Sequence, residues 1–221
     1  MNGVAVDLDT GETMIQTIGV IGAGQMGNGI AQVAACAGYD VVMIDIKDEY
    51  VEKGLGTIQF SLGKLVSKER MTQGDADAAL GRITTGTERS MCADCDLVVE
   101  AVPEILSLKQ EIFAELDSLC KPATILASNT SSISITTIAA STQRPEKVIG
   151  MHFMNPVPIM KLVEIINGAD TSEATNTAVV EAAEKMGKTA LSCNDAPGLC
   201  VEPHSLPDDQ RSHPHAPGRR G

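Results

Sequence analysis

The chain has 221 residues, enough for one large domain or a domain with an appendage but cramped for a two-domain enzyme. A formal net charge of −12 without a long basic run argues against nucleic-acid binding, and no apolar run reaches the ~18 residues of a membrane span. Six scattered cysteines are too sparse for a disulfide scaffold, and the first sixteen residues hold Asp7, Asp9 and Glu12 without Lys or Arg, unlike a targeting peptide. Together these features predict a cytoplasmic protein with reduced thiols.

After an extension over residues 1–14, an apolar strand at Thr17 to Ile21 runs into Gly22-Ala23-Gly24-Gln25-Met26-Gly27, which opens a helix from Gln25 to Ala37. A second strand, Asp40 to Asp45, ends in an acid. This is the context a G-x-G-x-x-G needs to mean dinucleotide binding: Gly22 for the tight turn, Gly24 for close approach of a pyrophosphate, Gly27 for packing helix on strand. The uncapped N–H groups at Gln25 and Met26 suit the phosphates. Asp45, about 20 residues on, can accept both ribose hydroxyls and would repel a 2′-phosphate, so the predicted cofactor is NAD rather than NADP.

Helical character returns at Glu49 to Arg70 and Asp75 to Leu80, followed by a strand near Arg82 to Thr85. Asp96 to Val102 is a near-continuous apolar run of the kind buried in a parallel sheet, with Pro103 placed to open a helix from Glu104 to Leu119. Strands are expected at Thr124 to Ser128, Lys147 to His152, Met160 to Ile166 and Lys188 to Asn194, with a helix from Ser172 to Met186. The pattern is α/β: a Rossmann-type, doubly wound, mostly parallel sheet over residues 15–198. Ligands of such sheets bind beyond the carboxyl ends of the strands, so the glycines, Asp45, Glu104, Ser131 and His152 can converge on one crevice.

Four segments carry a family resemblance: Ile21 to Gly27, Val99-Glu100-Ala101-Val102-Pro103-Glu104, Ala127-Ser128-Asn129-Thr130-Ser131-Ser132, and His152-Phe153-Met154-Asn155-Pro156 through Glu164. They resemble the 3-hydroxyacyl-CoA dehydrogenases, closest to the bacterial 3-hydroxybutyryl-CoA dehydrogenases, over roughly Ile15 to Gly198. The resemblance implies NAD-dependent oxidation of a short (S)-3-hydroxyacyl-CoA. It implies His152 as the base, Glu164 as its partner and Ser131 as the hydrogen-bond donor to the reacting oxygen. Glu104, Lys109 and Asn155 fall on cofactor-contact positions, and Ser61 and Lys68 on positions that meet coenzyme A. By residue type alone each has a blander reading. A histidine at a strand end serves packing as readily as catalysis, Ser131 suits a helix N-cap, and Glu104, Lys109, Ser61 and Lys68 suit solvated helix faces.

Two motifs are set aside. Cys92-Ala93-Asp94-Cys95 precedes a strand instead of opening a helix, which argues against a redox pair, and His204, His213 and His215 lack a ligand framework, so no metal is expected. Beyond Gly198 the chain departs from the family. Residues 199–221 are rich in Pro, His and Arg without apolar periodicity, and Glu202 stands where the family has an Asn. Degenerate codons read one base later from Leu199 permit the family's own continuation. The expectation is a frameshift near Pro197-Gly198 that removes the helical domain through which the family dimerises, leaving a monomer or an aggregation-prone chain. Resequencing across those codons checks it. Two alternatives stay open: a non-catalytic dinucleotide-binding remnant, and a dehydrogenase of free 3-hydroxy acids.

Overall fold

The computed structural model describes residues 15–195. The expected extension over 1–14, the segment 199–221 and Glu202 lie outside the described residues. The elements follow in chain order as β1 (Thr17–Ile21), α1 (Gln25–Cys36), β2 (Asp40–Ile44), α2 (Asp48–Ser67), α3 (Gln73–Gly81), β3 (Ile83–Gly86), β4 (Leu97–Glu100) and α4 (Leu106–Leu119). Then come β5 (Ile125–Ser128), α5 (Ile135–Ala139), β6 (Val148–Phe153), β7 (Leu162–Asn167), α6 (Glu173–Lys185) and β8 (Thr189–Asn194).

The eight strands form one sheet in the order β3-β2-β1-β4-β5-β6-β7-β8. Strands β1 to β6 pair in parallel, β7 runs antiparallel to β6, and β8 is parallel to β7. This is the Rossmann-type α/β architecture. Both faces are covered, so β4 and β5 are buried at every position and carry Val, Leu, Ile and Ala with hardly a polar break. On one face α1, α2, α3 and α6 close over Ile18, Val20, Met43, Val99 and Met151; on the other, α4 and α5 close over Ile21, Val98 and Leu126. Among the described residues, no helix is long and apolar enough to cross a membrane.

Two local features differ from the sequence pattern. Pro103 does not open a helix. Helix α4 starts at Leu106 with Ile105 as its N-cap, after a tight turn in which the Ile105 N–H donates to the Pro103 carbonyl at 2.8 Å. The short helix α5 is capped by Ser134, which accepts from the Thr137 N–H, and not by Ser131; five residues are too few for a readable 3.6-residue period.

Helix α1 lies against β1 so closely that a Cβ on Gly27 would stand 1.7 Å from the Gly22 carbonyl oxygen, whereas a Cβ on Gly63, in the C-terminal half of α2, would meet nothing within 4 Å. Gly27→Ala should therefore destabilise by about 1–3 kcal/mol or more, as overpacking against backbone does. Gly63→Ala should stabilise by about 0.5–1 kcal/mol through helix propensity. Thermal denaturation of both variants checks the pair of signs.

Candidate active site

The sheet order reverses at β1, which lies between β2 and β4, and the crevice beyond their carboxyl ends is where an open α/β sheet takes a ligand. The Gly22 N–H donates to the Ile44 carbonyl at 2.8 Å, and its φ of +100° is a conformation that only glycine adopts cheaply. Gly24 is the N-cap of α1 and offers no side-chain cap. A Cβ there would meet nothing within 4 Å, so the backbone is open to an approaching group. Beside this turn lies a cavity of about 730 Å³, lined by Gly22, Gly24 and Gln25 and also by Tyr50, Thr87 and Arg89.

Asp45 lines the same cavity. Its Oδ2 accepts the Ala23 N–H at 2.7 Å and its Oδ1 accepts the Ile46 N–H at 2.7 Å. Each oxygen keeps lone-pair capacity for a further donor, and Ile46, 74% exposed, offers apolar surface beside it. Uncapped helix N–H groups, a bare glycine and an acid on the next strand fit the pyrophosphate and ribose of a dinucleotide.

Past β4 lies a second polar group. Glu104 Oε1 accepts from the Ser131 and Ser132 N–H groups at 3.0 and 3.1 Å, from Ser132 Oγ at 3.0 Å, and from Thr130 Oγ1 in a very short contact. Burial pushes the Glu104 carboxyl up, but the hydroxyls of Thr130 and Ser132 and the charge of Lys109 outweigh it and hold the group below the usual carboxylate range. Lys109, expected against the cofactor, is itself 1% exposed, with Nζ 2.7 Å from Glu100 Oε1 and 3.3 Å from Glu104 Oε2. It stands beneath the crevice and reaches it through Glu104. The fully buried Glu100, to which the sequence assigned no role, also accepts from Ser128 Oγ and the Val102 N–H, each at 2.7 Å.

The third group sits on β6 and β7. The antiparallel register places His152 opposite Glu164, and His152 Nδ1 lies 2.8 Å from Glu164 Oε2. A carboxylate only accepts, so Nδ1 carries the proton and the Nε2 lone pair is left for other work. The Phe153 N–H donates to Asn129 Oδ1 at 2.9 Å, tying this strand to β5. Asn155 Oδ1 accepts from Gln25 Nε2 at 3.2 Å, which joins the loop after His152 to the start of α1. Lys188 Nζ braces that loop by donating to the Val157 and Met160 carbonyls.

Gly22, Gly24, Gln25 and Asp45 thus share one cavity, and Gln25 links it to Asn155. Met26 packs on the core and Gly27 is buried. His152, Glu164 and Ser131 do not line the cavity. Ser61 and Lys68 stand farther along α2 than Tyr50, Lys53 and Thr57, and lie outside the cavity as well. Cys92 and Cys95 are buried, and a hydrogen bond with Cys92 together with burial pushes the Cys95 thiol far up, so neither suits redox exchange. No metal-binding cluster occurs among the described residues.

Comparison with known proteins agrees with this geometry. Residues 17–196 match the family model described as 3-hydroxyacyl-CoA dehydrogenase, NAD binding domain. The chain belongs to this family. It is 56% identical over 181 residues to a probable 3-hydroxybutyryl-CoA dehydrogenase of Deinococcus radiodurans, covering 82% of this chain and 65% of the relative. It is 43% identical to the human mitochondrial hydroxyacyl-coenzyme A dehydrogenase, over 85% of this chain and 62% of that one. The crystal structure of (S)-3-hydroxybutyryl-CoA dehydrogenase from Ralstonia eutropha superposes with a TM-score of 0.83 at 46% identity, covering 85% of this chain and 66% of that chain. The chain spans about two thirds of the length of these relatives. As a member of an NAD-binding family, it takes NAD as its cofactor.

Asp45→Ala should weaken NADH binding about tenfold while weakening NADPH less, because it removes a ribose acceptor from one and a repulsive charge from the other. Fluorescence titration with both nucleotides checks this, and equal losses would separate Asp45 from the ribose. Glu104 gives a pH signature. Its contribution to order in the 130–132 turn is full above the unfolded carboxyl pKa of about 4.3 and is lost as pH falls through the lower folded value. The Ser131 and Ser132 amide signals should accordingly hold their shifts to below that pH in an NMR acid titration.

Proposed function

We propose that the protein transfers a hydride between NAD and C3 of a short (S)-3-hydroxyacyl-CoA, 3-hydroxybutyryl-CoA in one direction and acetoacetyl-CoA in the other. The observation that carries this reading is the His152–Glu164 pair at 2.8 Å, set beside a dinucleotide crevice and linked to it through Asn155 and Gln25. Bound NAD supplies the hydride acceptor. His152 Nε2 takes the hydroxyl proton as C3–O becomes a carbonyl, while Glu164 keeps Nδ1 protonated and offsets the positive charge that forms on the ring.

Ser131 has its N–H held by Glu104 and its side chain exposed, which suits it to donate to the reacting oxygen. Asp45 accepts from the ribose, and Asn155 and Glu104 flank the cofactor farther along the crevice. Ser61 and Lys68, on the outer part of α2, are assigned to coenzyme A, where a lysine cation meets phosphate. The relatives named as 3-hydroxybutyryl-CoA dehydrogenases support this substrate class. The buried thiols Cys92, Cys95 and Cys120 support a reducing, cytoplasmic setting.

The reading is tested by following NADH oxidation with acetoacetyl-CoA and with free acetoacetate. Preference for the thioester is expected; preference for the free acid would make the protein a hydroxy-acid dehydrogenase, and NADH binding without turnover would leave a dinucleotide-binding module. His152→Ala should lower kcat by roughly 10²–10⁴-fold with NADH affinity unchanged, since the base acts on the substrate and the cofactor is held elsewhere.

A further inference from the structure

We propose that Glu100 is a positioning residue for this reaction: its buried carboxylate sets the turn that carries Ser131, acting through Lys109 and Ser128. The effect on turnover rests on the dehydrogenase reading; the effect on the turn does not.

Glu100 is the last residue of β4 and is fully buried in an otherwise apolar strand. A buried ion pair generally gains little stability over apolar side chains of the same size, so stability alone gives an acid no reason to be there. What a buried carboxylate supplies is direction, through several charge-assisted hydrogen bonds. Two routes lead from it to the same turn. Along one, Oε2 accepts from Ser128 Oγ, and Ser128 Oγ accepts the Thr130 N–H at 3.3 Å. Along the other, Oε1 holds Lys109 Nζ, Lys109 pairs with Glu104, and Glu104 takes the N–H groups of Ser131 and Ser132.

The Glu100 backbone carbonyl also accepts the Asn129 N–H at 2.8 Å, and Asn129 in turn holds Phe153, the neighbour of His152. Without Lys109 neutralising it, Glu104 would stand beside a second carboxylate. With it, three charged groups share one hydrogen-bonded arrangement.

The other end of β4 provides a control. Asp96 accepts the Gln16 and Thr17 N–H groups at 2.9 and 3.0 Å and pairs with Lys121 at 3.0 Å, a network of similar size far from the crevice. Hydrogen–deuterium exchange of the whole chain, with and without NADH, separates positioning from general stability. Glu100→Gln should speed exchange in peptides covering residues 129–133 about tenfold while leaving 17–21 and 40–44 within about twofold. Asp96→Asn should lower Tm without that local change. In turnover, Glu100→Gln should lower kcat for acetoacetyl-CoA about tenfold, and Glu100→Asp should recover part of the loss.

Unchanged exchange at 129–133, or a rise spread evenly over the chain as in Asp96→Asn, would overturn the proposal. Should Glu100→Gln fail to fold, Ser128→Ala removes both hydrogen bonds of one route and leaves the other intact, and exchange at 129–133 in that variant decides the matter. A wild-type chain that does not reduce acetoacetyl-CoA would sink the dehydrogenase reading, while the exchange result would still decide the role of Glu100 in the turn.

Discussion

Parallel pairing of β1 with both β2 and β4 is the constraint from which the rest of the molecule follows. A parallel strand cannot return by a tight turn, so each crossover must climb over a face, and the helices bury the sheet on both sides. The interior then has room for almost nothing polar. Hydrogen-bonding chemistry is driven to the strand ends, and the connections after β1, β2, β4 and β5 all emerge on one edge. Gly22, Asp45, Glu104 and Ser131 are neighbours because of this geometry and not because of any direct attraction among them.

The antiparallel strand β7 supplies what a purely parallel sheet could not. In a parallel pair, His152 would need a crossover of a dozen or more residues before a partner strand returned beside it. Here the loop from Met154 to Lys161 turns back directly and sets Glu164 opposite the imidazole in register. Glu164 is nearly buried and His152 is more open, so the acid is fixed by the sheet while the ring presents its second nitrogen outward. Gln25 and Lys188 brace the same loop from two sides, one from α1 and one from the residue before β8.

Much of this was legible in the sequence, for physical reasons that can be named. The strand–glycine–helix–strand–acid unit at Thr17 to Asp45 constrains backbone conformation directly, so its local meaning survives without knowledge of the fold. The central strands were readable because burial on both faces leaves apolar runs bounded by turns, while the edge strands β3 and β8, more exposed, were readable from their place between helical stretches. The pairing of His152 with Glu164 came from family likeness, since periodicity does not reveal register across strands. Pro103 misled because its fixed φ permits a helix start without requiring one; the chain makes a further turn, with the Ile105 N–H donating to the Pro103 carbonyl, before α4 begins. Glu100 escaped assignment, and its pairing with Lys109 is invisible in the sequence: an acid in an apolar run and a lysine nine residues on look unrelated until the strand and helix are packed together.

The acidic side chains along the crest pose an electrostatic difficulty for a site that must take phosphates, and the structure resolves it locally. Asp45 is bound by two backbone N–H groups, Glu100 by a lysine, a serine and a backbone N–H, Glu104 by the 130–132 turn and the same lysine, and Glu164 by an imidazole. Each carboxylate meets donors before it meets ligand, which weakens the field it projects into the crevice. Where the glycine turn opens, there is no acid at all in the first turn of α1, and the uncapped N–H groups face the cavity side with no side-chain competitor. The positive dipole at these N–H groups and the acceptor held at Asp45 suit an anionic dinucleotide, even though the chain as a whole carries a net charge of −12. Local arrangement of donors, not overall charge, decides what this crevice can hold.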